Sequence, residues 1–341
     1  MKKLTALLLA LVMALSLVAC GGSDAPAATE APKAEAPAAT EAPAAEAPAA
    51  KTAADLKLGF ILGSREHAFY CSIEEGIMAA AAELGFEAVV LESDLDGAIA
   101  SERIETLVVD GCDAISLSVN DPSASTPAIV AAHEDGTPMF AFDCTSTETD
   151  VIKCFVGTDN YQGGVVGGEA TINYLKEAGL KDVTIAVIPD KPQSCIDRRD
   201  GWLSYVEQYK DELGLEIVVL SDYAGDATTA EGIMNDALIA YPNLKCIFTS
   251  GDPACIGALA AIKNAGSDCK MIGFDANPEA HEAILDPVNG QIWFADVAQD
   301  PYKIGYDIAH EMVSYCIDGT VSAPVSLVAP YLVDASNAVA P

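Results

Sequence analysis

Short apolar runs recur at regular intervals from residue 56 onward, and polar segments of helical period separate them. Runs at 56–62, 86–91, 114–119 and 138–142 form one set, and runs at 182–188, 216–221, 246–250 and 270–274 form a second. Each is four to eight residues of near-continuous Val, Ile, Leu, Phe and Ala, the pattern of parallel strands covered on both faces. Helical periodicity lies between them, at Ile73 to Leu84, Ile99 to Asp110, Trp202 to Lys210 and Ala254 to Ala265. Alternating strand and helix predicts βαβ units and open parallel sheets.

The pattern also repeats. ELGFEAVVLESD at 83–94 and ELGLEIVVLSD at 212–222 each end a helix at a glycine, enter a β-branched strand and stop at Asp. Gly85 and Gly214 suit those stops because glycine takes the left-handed conformation of a helix C-cap without penalty. The reading is an α/β protein of two similar open parallel-sheet lobes. In such sheets ligands bind beyond the carboxyl ends of the strands. A polar collar lies there: Ser64, Glu66, His67, Phe69 and Tyr70, then Asn120 and Asp121, then Asp143, Cys144 and Thr145 in the first half. Asp190, the segment QSCIDRRDGW, Asp222, Gly251, Asp252, Asp275 and Asn277 follow in the second half.

The first 54 residues are different. MKKLTALLLALVMALSLVAC has a basic start and a short apolar run, the form of a secretory signal. Its end, Leu17-Val18-Ala19-Cys20, resembles a bacterial lipobox, which implies cleavage and lipidation at Cys20. Residues 21–54 are Ala/Pro/Glu-rich with no large apolar side chain, so they bury no core and read as a semi-extended spacer. The expected domains are a leader at 1–20, a spacer at 21–54, one lobe at 55–158 plus 299–327 and another at 159–298 plus 328–341. The expected place is the outer face of the cytoplasmic membrane or the periplasm.

Charge changes the picture by exclusion. A net charge of −33 makes nucleic acid and anionic lipid poor partners. The 10 cysteines include no C-x-x-C pair and no Cys/His cluster at zinc spacing, so no metal is expected. Cys112, Cys246 and Cys269 read as small core hydrophobes, while Cys144 and Cys154 flank one loop and are candidates for a disulfide. There is no G-x-S-x-G elbow, Walker A loop or H-E-x-x-H, so neither an enzyme nor a cofactor is expected. GGVVGG at 163–168 reads as close helix packing rather than a dinucleotide loop.

In order, GFILGSREHAFYCSIEEG, TPMFAFD, VGTDNYQGGVVGG, DRRDGW, YPNLKCIFTSGDPACIGAL, MIGFDANPE and AQDP resemble the type I periplasmic binding proteins. Among these they are similar to the ribose-like, sugar-binding group of ABC importers, and the resemblance runs from Leu56 to the C-terminus. It implies a three-crossover hinge near Gly157–Asn160, Ala298–Pro301 and Val328–Tyr331. It further implies a monomer that captures a sugar or polyol and delivers it to a membrane permease. A receptor subunit for a chemoreceptor or sensor kinase, or a binder of nucleosides or furanose signals, is the alternative.

The implied ligand-binding set is His67, Phe69, Tyr70, Asp143, Cys144, Arg198, Asp252, Asp275 and Gln299. Flat rings cover the apolar C–H faces of a sugar, carboxylates accept from its hydroxyls, and a guanidinium fork bridges two oxygens. Two positions depart from the ribose-binding pattern: Cys144 stands in place of an Arg, and Gly251 in place of an Asn. Replacing Asp143, Arg198 or Asp275 by Ala is expected to remove binding and to leave the unliganded melt nearly unchanged.

Overall fold

A computed structural model describes residues 51–340; the expected leader, Cys20 and nearly all of the expected spacer lie outside the described residues. The first half runs β1 (Lys57–Leu62), α1 (Ala68–Leu84), β2 (Glu87–Glu92), α2 (Gly97–Val109), β3 (Ala114–Leu117), α3 (Pro122–Glu134), β4 (Met139–Phe142) and β5 (Ile152–Thr158). The second half runs α4 (Asn160–Glu177), β6 (Thr184–Ile188), α5 (Gln193–Val206), α6 (Lys210–Leu213), β7 (Glu216–Val219), α7 (Ala227–Ala240), β8 (Leu244–Thr249), α8 (Asp252–Ala265), β9 (Lys270–Asp275), α9 (Pro278–Leu285) and β10 (Trp293–Ala298). The chain closes with α10 (Pro301–Asp318), β11 (Val325–Val328) and β12 (Tyr331–Asp334).

Two six-stranded sheets result, in the orders β11-β5-β4-β3-β1-β2 and β12-β10-β9-β8-β6-β7. All pairings are parallel except β12 on β10. The chain passes between the sheets three times, after β5, after β10 and after β11. Those are the three crossings that the resemblance implied.

Each half has four more or less obvious strands and two that the periodicity missed. β5 and β10 lead into crossings, and β10 carries Asp296 in its middle. β11, Val-Ser-Leu-Val, is a four-residue edge strand broken by Ser326, too short to stand out, and its Val325 and Leu327 are exposed. Two helix starts are corrected as well. α1 begins at Ala68 with His67 as its N-cap residue, and α5 begins at Gln193 behind Pro192. Proline in that place pre-sets the entry to a helix, so the motif DRRDGW is helical.

Cores lie on both faces of both sheets. On one face of the second sheet Trp202 stacks on Phe248, and Phe274 meets Phe248 edge-on. Helices on the flanks meet through glycine. A Cβ at Gly76 or Gly305 would stand 2.0 Å from a backbone oxygen across the α1–α10 contact. At Gly164 and Gly201, across α4–α5, the distances are 1.9 and 2.0 Å. The GGVVGG run therefore serves backbone approach. Acidic residues at 96, 121, 159, 226 and 300 accept from the first free amides of α2, α3, α4, α7 and α10. Cys112, Cys246 and Cys269 are buried, and Cys144 and Cys154 are free thiols, so the candidate disulfide is absent. Among the described residues no helix is long and apolar enough to cross a membrane.

Candidate ligand-binding site

The carboxyl ends of the two sheets border a cavity of ≈ 380 Å³, within the range of small-molecule sites. The first sheet contributes Asp143, directly after β4. Its φ of 61° is one of few left-handed values outside glycine, a region that Asp tolerates. Oδ2 accepts from Tyr70 Oη at 2.9 Å and from Ser118 Oγ at 2.8 Å. Burial pushes the Asp143 carboxyl above the usual range, against the pull of those donors and of the Arg198 charge.

Tyr70 is buried in the core below while its hydroxyl takes part in the site. Asn120 Nδ2 donates to that hydroxyl at 2.8 Å. Only Gly63 leaves room for the ring, since a Cβ there would lie 2.3 Å from it. Phe69 is half-buried and meets Tyr70 edge-on, with ring centroids 5.3 Å apart. His67 is exposed at the rim. The join between β1 and α1 thus sets one ring inside the lobe and leaves the other facing the cavity.

The second sheet contributes a buried charged pair. Arg198, 6% exposed, donates from Nη1 to Asp275 Oδ1 at 2.9 Å and to the Ser250 carbonyl at 2.8 Å. Its Nε donates to Asn160 Oδ1 at 2.8 Å, and its guanidinium carbon lies 3.8 Å from the centre of the Phe274 ring. Gln299 Nε2 donates to the same Asp275 oxygen at 2.7 Å, and Thr158 Oγ1 donates to Gln299 Oε1 at 2.6 Å. Burial raises the Asp275 carboxyl, with Arg198 and Gln299 pulling it back. Burial is the largest effect and works against the Arg198 charge, but Asp275 together with Cys195, Tyr223 and Asp143 outweighs it, and the guanidinium is raised. Neither Asp143 nor Asp275 caps a helix.

Of the residues expected from sequence, His67, Phe69, Tyr70, Asp143, Arg198, Asp252, Asp275 and Gln299 border the cavity. Cys144 does not: its thiol sits behind Asp143 and donates to Oδ2 at 3.5 Å. Asp252 borders the cavity with its chain turned inward, accepting from Asn277 N–H at 2.8 Å. Glu66, Ile256, Asn277 and Glu279 complete the wall. Ile256 and Glu279 lie on helical faces whose sequence shows no sign of the cavity. Tyr223 explains the Gly251 departure. A Cβ at 251 would lie 2.5 Å from the Tyr223 hydroxyl, so the ring fills space that a side chain there would take.

The model of the family "Periplasmic binding protein domain" matches residues 58–320. The ribose import binding protein RbsB of Bacillus subtilis (strain 168) is 27% identical over 278 residues, which is 80% of this chain and 87% of that protein. The D-apiose import binding protein of Paraburkholderia graminis is 27% identical over 234 residues, 68% of this chain and 73% of that one. A crystal structure of an ABC transporter solute binding protein from Mycobacterium smegmatis with bound glycerol matches with a TM-score of 0.70 at 26% identity, covering 83% of this chain and 95% of that chain. With two parallel sheets, three crossings and a cavity between the strand ends, the chain belongs to the periplasmic binding protein domain family.

Proposed function

We propose that this chain is an extracytoplasmic solute-binding protein that holds one sugar or polyol between its sheet ends and delivers it to an ABC permease. The observation that carries the reading is the pairing of acceptors across the cavity: Asp143 from one sheet, and Asp275 with Arg198 and Gln299 from the other. A hydroxyl group both donates and accepts, so a polyhydroxylated solute serves carboxylates and guanidinium alike. Unpaired, each buried polar group costs about 1–3 kcal/mol. Phe69 offers a flat apolar face for the C–H side of a ring. Anionic solutes fit poorly, because Glu66, Asp143, Asp275 and Glu279 face the same space.

Capture proceeds by closure of a lobe at 55–158 plus 299–327 onto a lobe at 159–298 plus 328–341, about the three crossings. The permease reads the closed form. His67, Phe69, Tyr70, Asp143, Arg198, Asp252, Asp275 and Gln299 bind the solute or hold those that do, and Cys144 supports Asp143 from behind. The protein works as a monomer, tethered by lipid on Cys20 and held off the membrane by its Ala/Pro/Glu spacer. It performs no chemistry on its cargo.

The test is a thermal-shift panel of monosaccharides, polyols and nucleosides on residues 52–341. A solute that binds only the folded state stabilises it by about 2.7 kcal/mol at a hundred times its Kd. A shift from a sugar or polyol, lost in Phe69→Ala and in Asp143→Ala, supports the reading. A panel in which sugars and polyols all leave the melt unmoved while another solute class raises it overturns the ligand class. A sugar shift intact in both variants overturns the site.

A further inference from the structure

Directly behind Asp275 lie two buried carboxyl groups, one at the cavity wall and one beneath it. Asp296 sits mid-strand in β10, fully buried, and Asp252 opens α8 at 2% exposed. Their oxygens come within 4.8 Å of each other and of the Cys255 thiol. Gly273 makes the space, since a Cβ on β9 there would stand 1.9 Å from Asp296 Oδ2. Amides occupy the other oxygens. Ala276 N–H donates to Asp296 Oδ1 at 2.9 Å, the Trp293 indole N–H donates to Asp296 Oδ2 at 2.9 Å, and Asn277 N–H donates to Asp252 Oδ2 at 2.8 Å. Asp252 Oδ1 is buried with no hydrogen-bond partner.

Two buried carboxyl groups in contact cannot both ionise at small cost. A proton on one of them turns a repulsion into a hydrogen bond. The thiol of Cys255 already meets Thr249 Oγ1 at 2.9 Å, which leaves one unpartnered oxygen, enough for a shared proton and too few for a cation's shell. The amides held by this pair belong to Ala276 and Asn277, the two residues after Asp275. Asp275 and Ala276 have φ of 110° and 50°, a backbone that persists only when its surroundings fix it.

We propose that Asp252 and Asp296 share a proton and, through it, are the positioning residues that hold the Asp275–Asn277 turn and aim Asp275 into the cleft. Other ionisable groups face the pair: Asp275 from β9 and Cys255 from α8, with Arg198 of α5 beyond Asp275. Burial raises both carboxyls, Asp296 to about 7 and Asp252 well above the usual range; the Asp296 and then the Asp275 charge add to the rise at Asp252, while at Asp296 the Asp252 hydrogen bond pulls back and Asp275 adds. The link to solute rests on the role proposed for Asp275, but the pair is read without solute, so the two ideas fail separately.

The chain has two tryptophans, and they report cleanly. The Trp293 indole donates to Asp296, and the Trp202 indole donates to Thr171 Oγ1 as an internal control. In indole N–H correlation spectra of solute-free protein, the Trp293 signal should move with a midpoint near 7, together with the Ala276 and Asn277 amides, while Trp202 stays still. Asp252→Asn keeps a donor toward Asp296 and an acceptor for Asn277 N–H, but it removes the competing acid. It should leave the amide signals in place at pH 8 and the Trp293 midpoint near its wild-type value, because the amide replaces a neutral donor by a neutral donor. Asp252→Ala should displace both amide signals; should it not fold, Asp252→Asn alone decides. A midpoint lowered by about one unit or more in Asp252→Asn overturns the shared proton, because it would mean that Asp252 acts on Asp296 as a charge and not as a donor. Unmoved Ala276 and Asn277 signals across the titration overturn the positioning role. A Trp293 shift on adding equimolar Zn²⁺, reversed by EDTA, overturns the proposal in favour of a cation.

Discussion

Arg198 tests the electrostatics of the cleft without any solute. Both members of its pair with Asp275 are shielded, at 8% and 19% side-chain exposure. Removing one partner of such a pair costs about 3–5 kcal/mol, because the other is left buried and unpaired. At roughly 2 °C per kcal/mol for a chain of this size, Arg198→Met should lower the melting midpoint by about 6–10 °C at pH 8. Burial thus replaces the expectation from sequence, an unliganded melt nearly unchanged by Arg198→Ala, with an expected loss. The loss should depend on pH in a set direction. Asp275 already has a raised carboxyl, and losing Arg198 raises it further. A folded-state value above the unfolded one means stability present at low pH and lost as pH climbs through the folded value. The gap between Arg198→Met and wild type should thus narrow as pH falls and Asp275 takes up its proton, and widen toward pH 8. Asp275→Asn in the Arg198→Met background should recover part of the loss, giving a coupling of about 1–3 kcal/mol in the double-mutant cycle. Melts followed by tryptophan fluorescence suffice. A coupling near zero together with a pH-independent loss would refute the pairing argument.

Two further outcomes follow from contacts already described. Tyr70→Phe removes a donor to Asp143 Oδ2 and strands the Asn120 amide. It should cost about 1–3 kcal/mol in thermal melts and weaken binding of the best panel solute, and unchanged values in both would separate Tyr70 from Asp143. Gly201→Ala sets a Cβ 2.0 Å from the Tyr161 carbonyl and must push α4 and α5 apart, at about 1–3 kcal/mol of overpacking. Gly232→Ala in α7 meets nothing within 4 Å and should raise stability by up to about 1 kcal/mol, so equal melts for the two glycine variants would contradict the close-packed helix pair.

How much of this was legible in the chain depended on where each side chain's partner came from. Runs such as FIL at 60–62 and FAF at 140–142 declared strands because both of their faces are buried. β11 did not, because four residues interrupted by Ser326 are too few to show a strand period, and the exposure of Val325 and Leu327 is set by its place at the sheet edge. Asp143 and Asp275 stood out as acids at strand ends, a position that local rules tie to ligands or caps. Asp296 was invisible: it is an acid inside a strand-like run, tolerated because Gly273 on the neighbouring strand gives it space and the Trp293 indole N–H donates a hydrogen bond to it. Tyr223 and Gly251 were both visible, but their exchange of volume is a contact across 28 positions of sequence that no local pattern encodes.

The hinge and the cleft are built from the same hydrogen bonds. Thr158 belongs to the first crossing, Asn160 follows it, and Gln299 belongs to the second. Thr158 grips Gln299, Gln299 grips Asp275, Asp275 grips Arg198, and Arg198 grips Asn160. The chain of contacts leaves the first crossing at Thr158, meets the second at Gln299, passes through the proposed solute ligands Asp275 and Arg198, and returns to the first at Asn160. A hydroxyl that bonds Asp275 therefore loads the oxygen that also holds Gln299 and Arg198, and the crossings feel the change directly. Differential contact between two states is what lets a ligand shift their balance, and here the differing contact is one bond away from the backbone that must bend. On that geometry, specificity and closure are not separable properties: a solute that leaves Asp275 unsatisfied forgoes both its own hydrogen bond and the pull on the hinge.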